Sequence, residues 1–278
     1  MSTLGKAFII VALVATIFGG GGYLAYRLFL KKKEYQLTKG GIAVPTATPD
    51  LVQPLLVQAK AQIAQGDKGA ARATLVSIVQ GFPPSPSADE ARQILGNMNM
   101  HDFFSSEPGP NKTIYLVARG DSIGRISAKT KAAPELIFKA NGLENLTIQP
   151  GRKFVIPSGQ FSLNISIKRQ SLTLLNRGVF FKWYKPLEFK APTHLTAGQY
   201  KVTEKIAWVS GGRVAFGDKH YLGSSRWIMT NISGLTIFSE TNPQAPNAQK
   251  PSTGIMLSPP DLEEIYALVG KKTPITVE

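Results

Sequence analysis

Tyr115-x-Val117-x-x-Gly120-Asp121-Ser122 opens a segment that runs through Asn141-Gly142-Leu143 and Ile148-x-Pro150-Gly151 and closes on Phe154-Val155-Ile156-Pro157. The alternation at Tyr115 and Val117 predicts a short strand. Gly120-Asp121-Ser122 is a turn whose Asp or Ser caps a helix from Ile123 to Lys129, and Ala133 to Asn141 form a second helix stopped by Asn141-Gly142. The apolar run Phe154–Ile156 returns as a strand. Residues 112–157 therefore read as strand, helix, helix, strand.

Downstream, the periodicity changes to two. Phe161, Leu163, Ile165 and Ile167 alternate, Leu172 and Leu174 follow, and Asn176-Arg177-Gly178 is a hairpin turn leading into Val179–Tyr184. Ser258-Pro259-Pro260-Asp261 caps a short amphipathic helix, Leu262–Val269, and Thr273–Val277 is a last strand. Residues 160–278 are expected to form a mostly antiparallel sheet or sandwich.

Upstream, residues 51–103 have helical spacing. Leu55, Leu56, Ala59, Ile63 and Ala64 share a face, Gly66-Asp67 breaks the chain, and Ala70, Ala71, Ala73, Thr74, Leu75, Ile78 and Val79 resume the period. A third helix is expected after Pro83-Pro84-Ser85-Pro86-Ser87, with Ala88, Ala91, Ile94 and Leu95 on one face. The small residues around Gly66 resemble a tetratricopeptide unit. Such arrays need about three repeats to stand alone, which favours a spacer or docking unit here. Residues 104–111, with Pro108-Gly109-Pro110, read as a linker.

From Ala7 to Tyr26 the chain has twenty residues without a charge, enough at ~1.5 Å each to cross ~30 Å of hydrocarbon. Residues 1–30 are read as a transmembrane anchor and 31–50 as its linker. A cleaved signal peptide is the competing reading, but apolar character resumes after Gly19–Gly22 with Tyr23 and Leu24. Arg27, Lys31, Lys32, Lys33 and Lys39 follow the span and only Lys6 precedes it. Taken alone, that flank would put the bulk of the chain in the cytoplasm; a long translocated domain is governed less by it.

The 278 residues carry a net charge of +14, with no Cys. That absence excludes disulfides, zinc–cysteine sites, iron–sulfur clusters and thiol nucleophiles. Residues 1–44, 112–157 and 158–278 carry +5, +5 and +6, whereas 45–111 carry −2. A basic excess spread this way suits an anionic polymer or surface. No helix-turn-helix, finger or RNP-type pattern accompanies it, so nucleic acid is not an expected partner.

The turn residues of 112–157 resemble the LysM module. The resemblance implies a shallow groove for N-acetylglucosamine-containing glycans, such as peptidoglycan, between the first strand-to-helix turn and the loop after the second helix. Carried over position by position, Gly120, Asp121, Ser122, Ile123, Asn141, Gly142, Leu143 and Ile148 would line it. Asp121 or Ser122 as a plain helix cap, and Ile123 as plain core, are the alternative readings.

Two stretches of the C-terminal region resemble L,D-transpeptidases of the YkuD type, which cross-link peptidoglycan stem peptides through a cysteine. They are Gly217-Asp218-Lys219 with Leu222–Trp227, and Gly254-Ile255-Met256-Leu257-Ser258-Pro259-Pro260-Asp261 with the following Leu262–Tyr266. On that resemblance the nucleophilic Cys falls on Gly254, the motif His on Ser252 and the motif Arg on Met256. The upstream His-Gly falls on Phe238-Ser239, sixteen residues before Gly254. A shift of one residue places the nucleophile on Ile255 instead. Such an enzyme needs a thiolate, a base and oxyanion donors, and none of these stands at the aligned positions. Ser252 or Thr253 would lack a base, and His194 and His220 lie elsewhere. Lys219, Arg226 and Lys250 remain as cations for stem-peptide carboxylates.

The expected architecture is multidomain: transmembrane helix, small tetratricopeptide-like helical hairpin, LysM βααβ module, and a mostly-β L,D-transpeptidase-like sandwich. The expected function is peptidoglycan binding by a membrane-anchored protein with an inactive transpeptidase-like domain. It would sit in the bacterial inner membrane with its C-terminal domains outside the cytoplasm, without metal or cofactor. A scaffold that recruits or regulates an active cell-wall enzyme is one alternative, and residual transpeptidase or carboxypeptidase activity is another.

Overall fold

The structure, a computed structural model, describes residues 50–82, 84–209, 212–239 and 251–278. The expected anchor and nearly all of its linker lie outside the described residues. Among the described residues, no helix is long and apolar enough to cross a membrane.

Three helices come first. Helix α1 (Gln53–Ala64) has a proline in its first turn, and α2 (Lys68–Gly81) is capped by Asp67, whose Oδ1 accepts from Ala70 N at 2.9 Å. Helix α3 (Pro86–Phe104) starts earlier than the expected Ala88, because Pro86 occupies a first-turn position where no donor is needed and Ser85 Oγ accepts from Ala88 N. Leu56, Ala59, Leu75, Ile78, Ala88, Ala91 and Leu95 form their shared core.

In the next segment β1 (Lys112–Leu116) pairs antiparallel with β2 (Lys153–Pro157), with Tyr115 opposite Phe154. Between them lie α4 (Ile123–Thr130) and α5 (Pro134–Ala140). Val117, Ile123, Ile126, Ile137, Phe154 and Ile156 form the core of this βααβ unit.

The remaining strands are β3 (Phe161–Ser166), β4 (Ser171–Asn176), β5 (Val179–Tyr184), β6 (Glu188–Lys190), β7 (Gly198–Val209), β8 (Gly212–Val214), β9 (Ser225–Thr230), β10 (Thr236–Ser239), β11 (Gly254–Leu257) and β12 (Pro274–Val277). Among the described residues they form one ten-stranded sheet in the order β5-β4-β3-β12-β7-β9-β10-β11-β6, with β8 on β7. The β4–β5 hairpin turns on Arg177 (φ 52°) and Gly178 (φ 77°), two left-handed residues as a two-residue hairpin requires. Most pairings are antiparallel; β12 with β3 and β10 with β11 are parallel.

The expected sandwich is one sheet curled on itself, and β7 is where it bends. Its first residues pair with β12, its later ones with β9, and the register shifts between Val202 and Glu204. A bulge there sharpens the twist and lets one strand serve both halves. Inside the curl, Leu163, Ile165, Ile228, Ile237, Ile255 and Ile275 pack against α6 (Pro259–Leu268), which buries Leu262, Ile265 and Tyr266. Helix α6 starts at Pro259, ahead of the expected Leu262, with Ser258 as its cap.

The helical unit is docked on this sheet. At Gly96 of α3 a Cβ would meet Lys182 Cγ at 2.8 Å and its Cα at 3.1 Å, and Asn99 Nδ2 donates to Phe181 O at 2.7 Å. Lys182, only 4% exposed, pairs with Glu264 at 2.6 Å. Phe103 meets Phe104, Phe161 and Phe181 edge-on at 5.3–5.7 Å between centroids. The expected linker is equally constrained, because Lys112 Nζ donates to Asp102 O and Ser105 O, both at 2.7 Å, at the end of α3.

Candidate functional site

Antiparallel pairing of β1 and β2 brings the turn after β1 and the loop before β2 to one end of the βααβ unit. Val117 extends the ladder there: its N donates to Arg152 O at 3.0 Å and its O accepts from Gly151 N at 2.8 Å. The eight residues expected to line a groove lie at the start of α4 and in the segment between α5 and β2, and their side chains have different tasks.

The side chain of Asp121 is 3% exposed. Its Oδ1 accepts from Lys129 Nζ at 2.7 Å, and Oδ2 accepts from Ala118 N at 2.8 Å and Tyr115 OH at 2.9 Å. Those donors, Lys129 foremost, hold the carboxyl down at about 2. Ser122 Oγ caps α4 by accepting from Arg125 N. Ile123 is 2% exposed and belongs to the core. Asn141 joins α5 to β2: Nδ2 donates to Ile137 O and Val155 O, and Oδ1 accepts from Val155 N, all at 2.8–2.9 Å. Leu143 is nearly buried and Ile148 half-buried, whereas Gly120 (φ +78°) and Gly142 (φ +55°) are exposed and left-handed. The exposed rim is thus glycine backbone, the Ser122 hydroxyl and the Ile148 edge, on a frame fixed by Asp121 and Asn141. Gly120 O already accepts from Arg125 Nη1 and Gly142 N donates to Lys139 O, so the rim offers chiefly the Ser122 hydroxyl, with a small apolar surface beside it.

In the curled sheet, β10 and β11 bring together the residues aligned with the transpeptidase motif. Phe238 pairs with Met256 and Ser239 with Leu257. Phe238 is 4% exposed and Met256 7%. Gly254 has φ +149°, and a Cβ there would lie 2.2 Å from Thr236 O and 3.1 Å from the Phe238 ring. The position therefore has no room for any side chain, and Ile255 beside it is wholly buried. Ser252 is exposed, and the Thr253 hydroxyl donates to Gly234 O. His194 faces the Ser233 carbonyl at 2.9 Å and His220 is exposed. Among the described residues no group of His, Asp and Glu is placed to hold a metal ion. Lys219 is exposed and Lys250 lies outside the described residues. Arg226, read from sequence as an available cation, is 3% exposed and already faces Glu263 at 3.2 Å.

Residues 115–157 match the family model for the LysM domain. This part of the chain is a LysM domain. No curated protein matches the chain. Solved structures that it is similar to include L,D-transpeptidases. One from Mycobacterium smegmatis is 14% identical, covering 46% of this chain and 63% of that one at a TM-score of 0.29. One from Mycobacterium tuberculosis H37Rv is 19% identical, covering 47% and 63% at 0.30. The catalytic domain of the Enterococcus faecium enzyme is 16% identical, covering 44% and 98% at 0.29. The overlap spans less than two thirds of the first two solved chains.

One cluster has no local signal in the sequence. Glu135 of α5 accepts from Tyr221 OH at 2.5 Å and faces Lys205 Nζ at 3.2 Å, while Lys205 also donates to Tyr266 O at 2.7 Å. Burial pushes the Lys205 ammonium down against the pull of Glu135, and pushes the Tyr221 phenol up. These partners stand 70 and 86 residues apart in sequence, so only the folded chain joins the LysM domain to the sheet.

Proposed function

We propose that the chain binds peptidoglycan through its LysM domain and carries a transpeptidase-like domain that has lost catalysis, held at the membrane by its N-terminal segment with the described domains outside the cytoplasm. The carrying observation is the LysM match at residues 115–157, together with a rim whose frame residues are all satisfied. Inactivity is supported by a chain without Cys and by a Gly254 that admits no side chain. Placement outside the cytoplasm follows from where the polymer is, and the uncharged run from Ala7 to Tyr26 supports the anchor.

The test is co-sedimentation of the full chain with purified sacculi at low and high salt, with and without N-acetylglucosamine oligosaccharides as competitors. Salt-resistant pelleting that the oligosaccharides relieve is expected. Pelleting abolished by salt and indifferent to oligosaccharide would reduce the interaction to charge and overturn the reading.

The helical unit favours scaffolding as a second reading. Ile63, Arg72, Ile94 and Met98 border a hollow of about 460 Å³ on it. Recovery of a cell-wall enzyme on the full chain, lost with Met98→Arg, would support that role.

A further inference from the structure

Where the LysM domain meets the curled sheet there is a cavity of about 400 Å³. Gly142, Leu143 and Glu144, from the loop that borders the LysM rim, form one side; Phe216, Tyr221 and Leu222 form the other. The cavity therefore continues from the rim. We propose that it is a second sugar subsite, taking the next N-acetylated residue of a glycan strand already held by the LysM groove. This rests on the glycan-binding reading above and extends it to the sheet domain.

The lining suits a neutral, amphipathic ring. Phe216, edge-on to the buried Tyr221 at 5.0 Å between centroids, and half-exposed Leu222 give an apolar wall for a sugar face. Glu135 is committed to Tyr221 and Lys205, so the charges left along the lining are Glu144 and Glu263 against Lys139 and Arg226. They balance, which disfavours a strongly charged ligand and supplies acceptors and donors for hydroxyls and an acetamide. Arg226 is 3% exposed and its Nε lies 3.2 Å from Glu263 Oε1, so it fixes Glu263 at the cavity wall. Glu263, 45% exposed and lining the cavity, can receive an acetamide N–H.

The test is calorimetric titration of the full chain with N-acetylglucosamine oligomers of increasing length. Wild type is expected to gain affinity at the length that reaches the cavity. Leu222→Arg, which fills the exposed mouth and pairs with Glu263, and separately Glu263→Ala, should weaken the longer oligomers about tenfold and leave the shortest binder unchanged. Ile148→Arg, at the LysM rim, should weaken every length. Equal effects of length in wild type and both cavity variants would overturn the second subsite and leave the LysM groove standing. If no oligomer of any length binds, the glycan reading fails and the subsite with it.

Discussion

Glu135 of the LysM domain accepts a hydrogen bond from the Tyr221 hydroxyl of the sheet domain at 2.5 Å, across 86 residues of sequence. With Lys205 on its other oxygen, this carboxylate ties two domains that a reading of modules in series would leave free to swing.

Removing that carboxylate leaves an ammonium and a phenol without their partner in a poorly hydrated junction. Glu135→Ala is expected to destabilise the full chain by about 2–3 kcal/mol, with Glu135→Gln, which can still accept from Tyr221, costing less. Chemical denaturation of the three proteins measures it. Indistinguishable midpoints would show that the junction adds nothing.

Asp121 makes the LysM domain acid-sensitive in a defined direction. Its carboxyl falls from an ordinary value of 3.8 to about 2 in the fold, so its contribution is complete above about 4 and disappears as pH falls through about 2. Thermal melts between those limits should decline in wild type and flatten in Asp121→Asn. Parallel pH profiles would refute the assignment.

The alkaline side has the opposite sign. Burial first, then the Glu135 charge, raises the Tyr221 phenol above its ordinary value of 10.0, so the unfolded chain ionises before the folded one. Stability should fall as pH rises beyond about 10, and Tyr221→Phe should lose that part of the slope. The readout is the denaturation midpoint across that range.

On the proposed inactive reading, a cysteine at the position aligned with the transpeptidase nucleophile should not confer a reaction. Gly254→Cys places a Cβ 2.2 Å from Thr236 O at a backbone angle that favours glycine. Destabilisation of about 2–4 kcal/mol is expected, with no D-alanine released from tetrapeptide muropeptides, even when combined with Phe238→His. Turnover by the double variant would mean that the cleft is intact.

Close approach of α3 to the sheet is also testable. Gly96→Ala would press a methyl group against Lys182 backbone and side chain, at a cost of about 1–3 kcal/mol. An unchanged midpoint would mean that the helix can shift freely.

Much of this architecture was legible because it is local. Ser258 caps a helix by a contact within three residues, Arg177-Gly178 turns a hairpin, and Gly120 and Gly142 sit at left-handed positions in LysM turns. Helix starts were read late at Pro86 and Pro259 because a proline looks like a boundary and is also a good first residue. Side-chain duty was harder to read. The LysM resemblance implies Asp121 and Asn141 beside a groove, but whether they face a ligand or their own backbone depends on Lys129 and Val155 arriving from other elements. Arg226 reads as a surface cation until Tyr221 and Tyr266 stack on it at 4.2 and 5.4 Å. The curled sheet was hidden for the same reason, since the bend of β7 depends on which neighbours it meets.

The clamp of Lys112 on the end of α3 has a mechanical consequence. Residues 105–111 are bridged by one ammonium group reaching from β1 to the end of α3, so this short loop is not a free hinge between the helices and the LysM domain. The rings of Phe161 and Phe181 hold the same end of α3 to the sheet through Phe103. Built this way, residues 50–278 form one compact body rather than a string of beads.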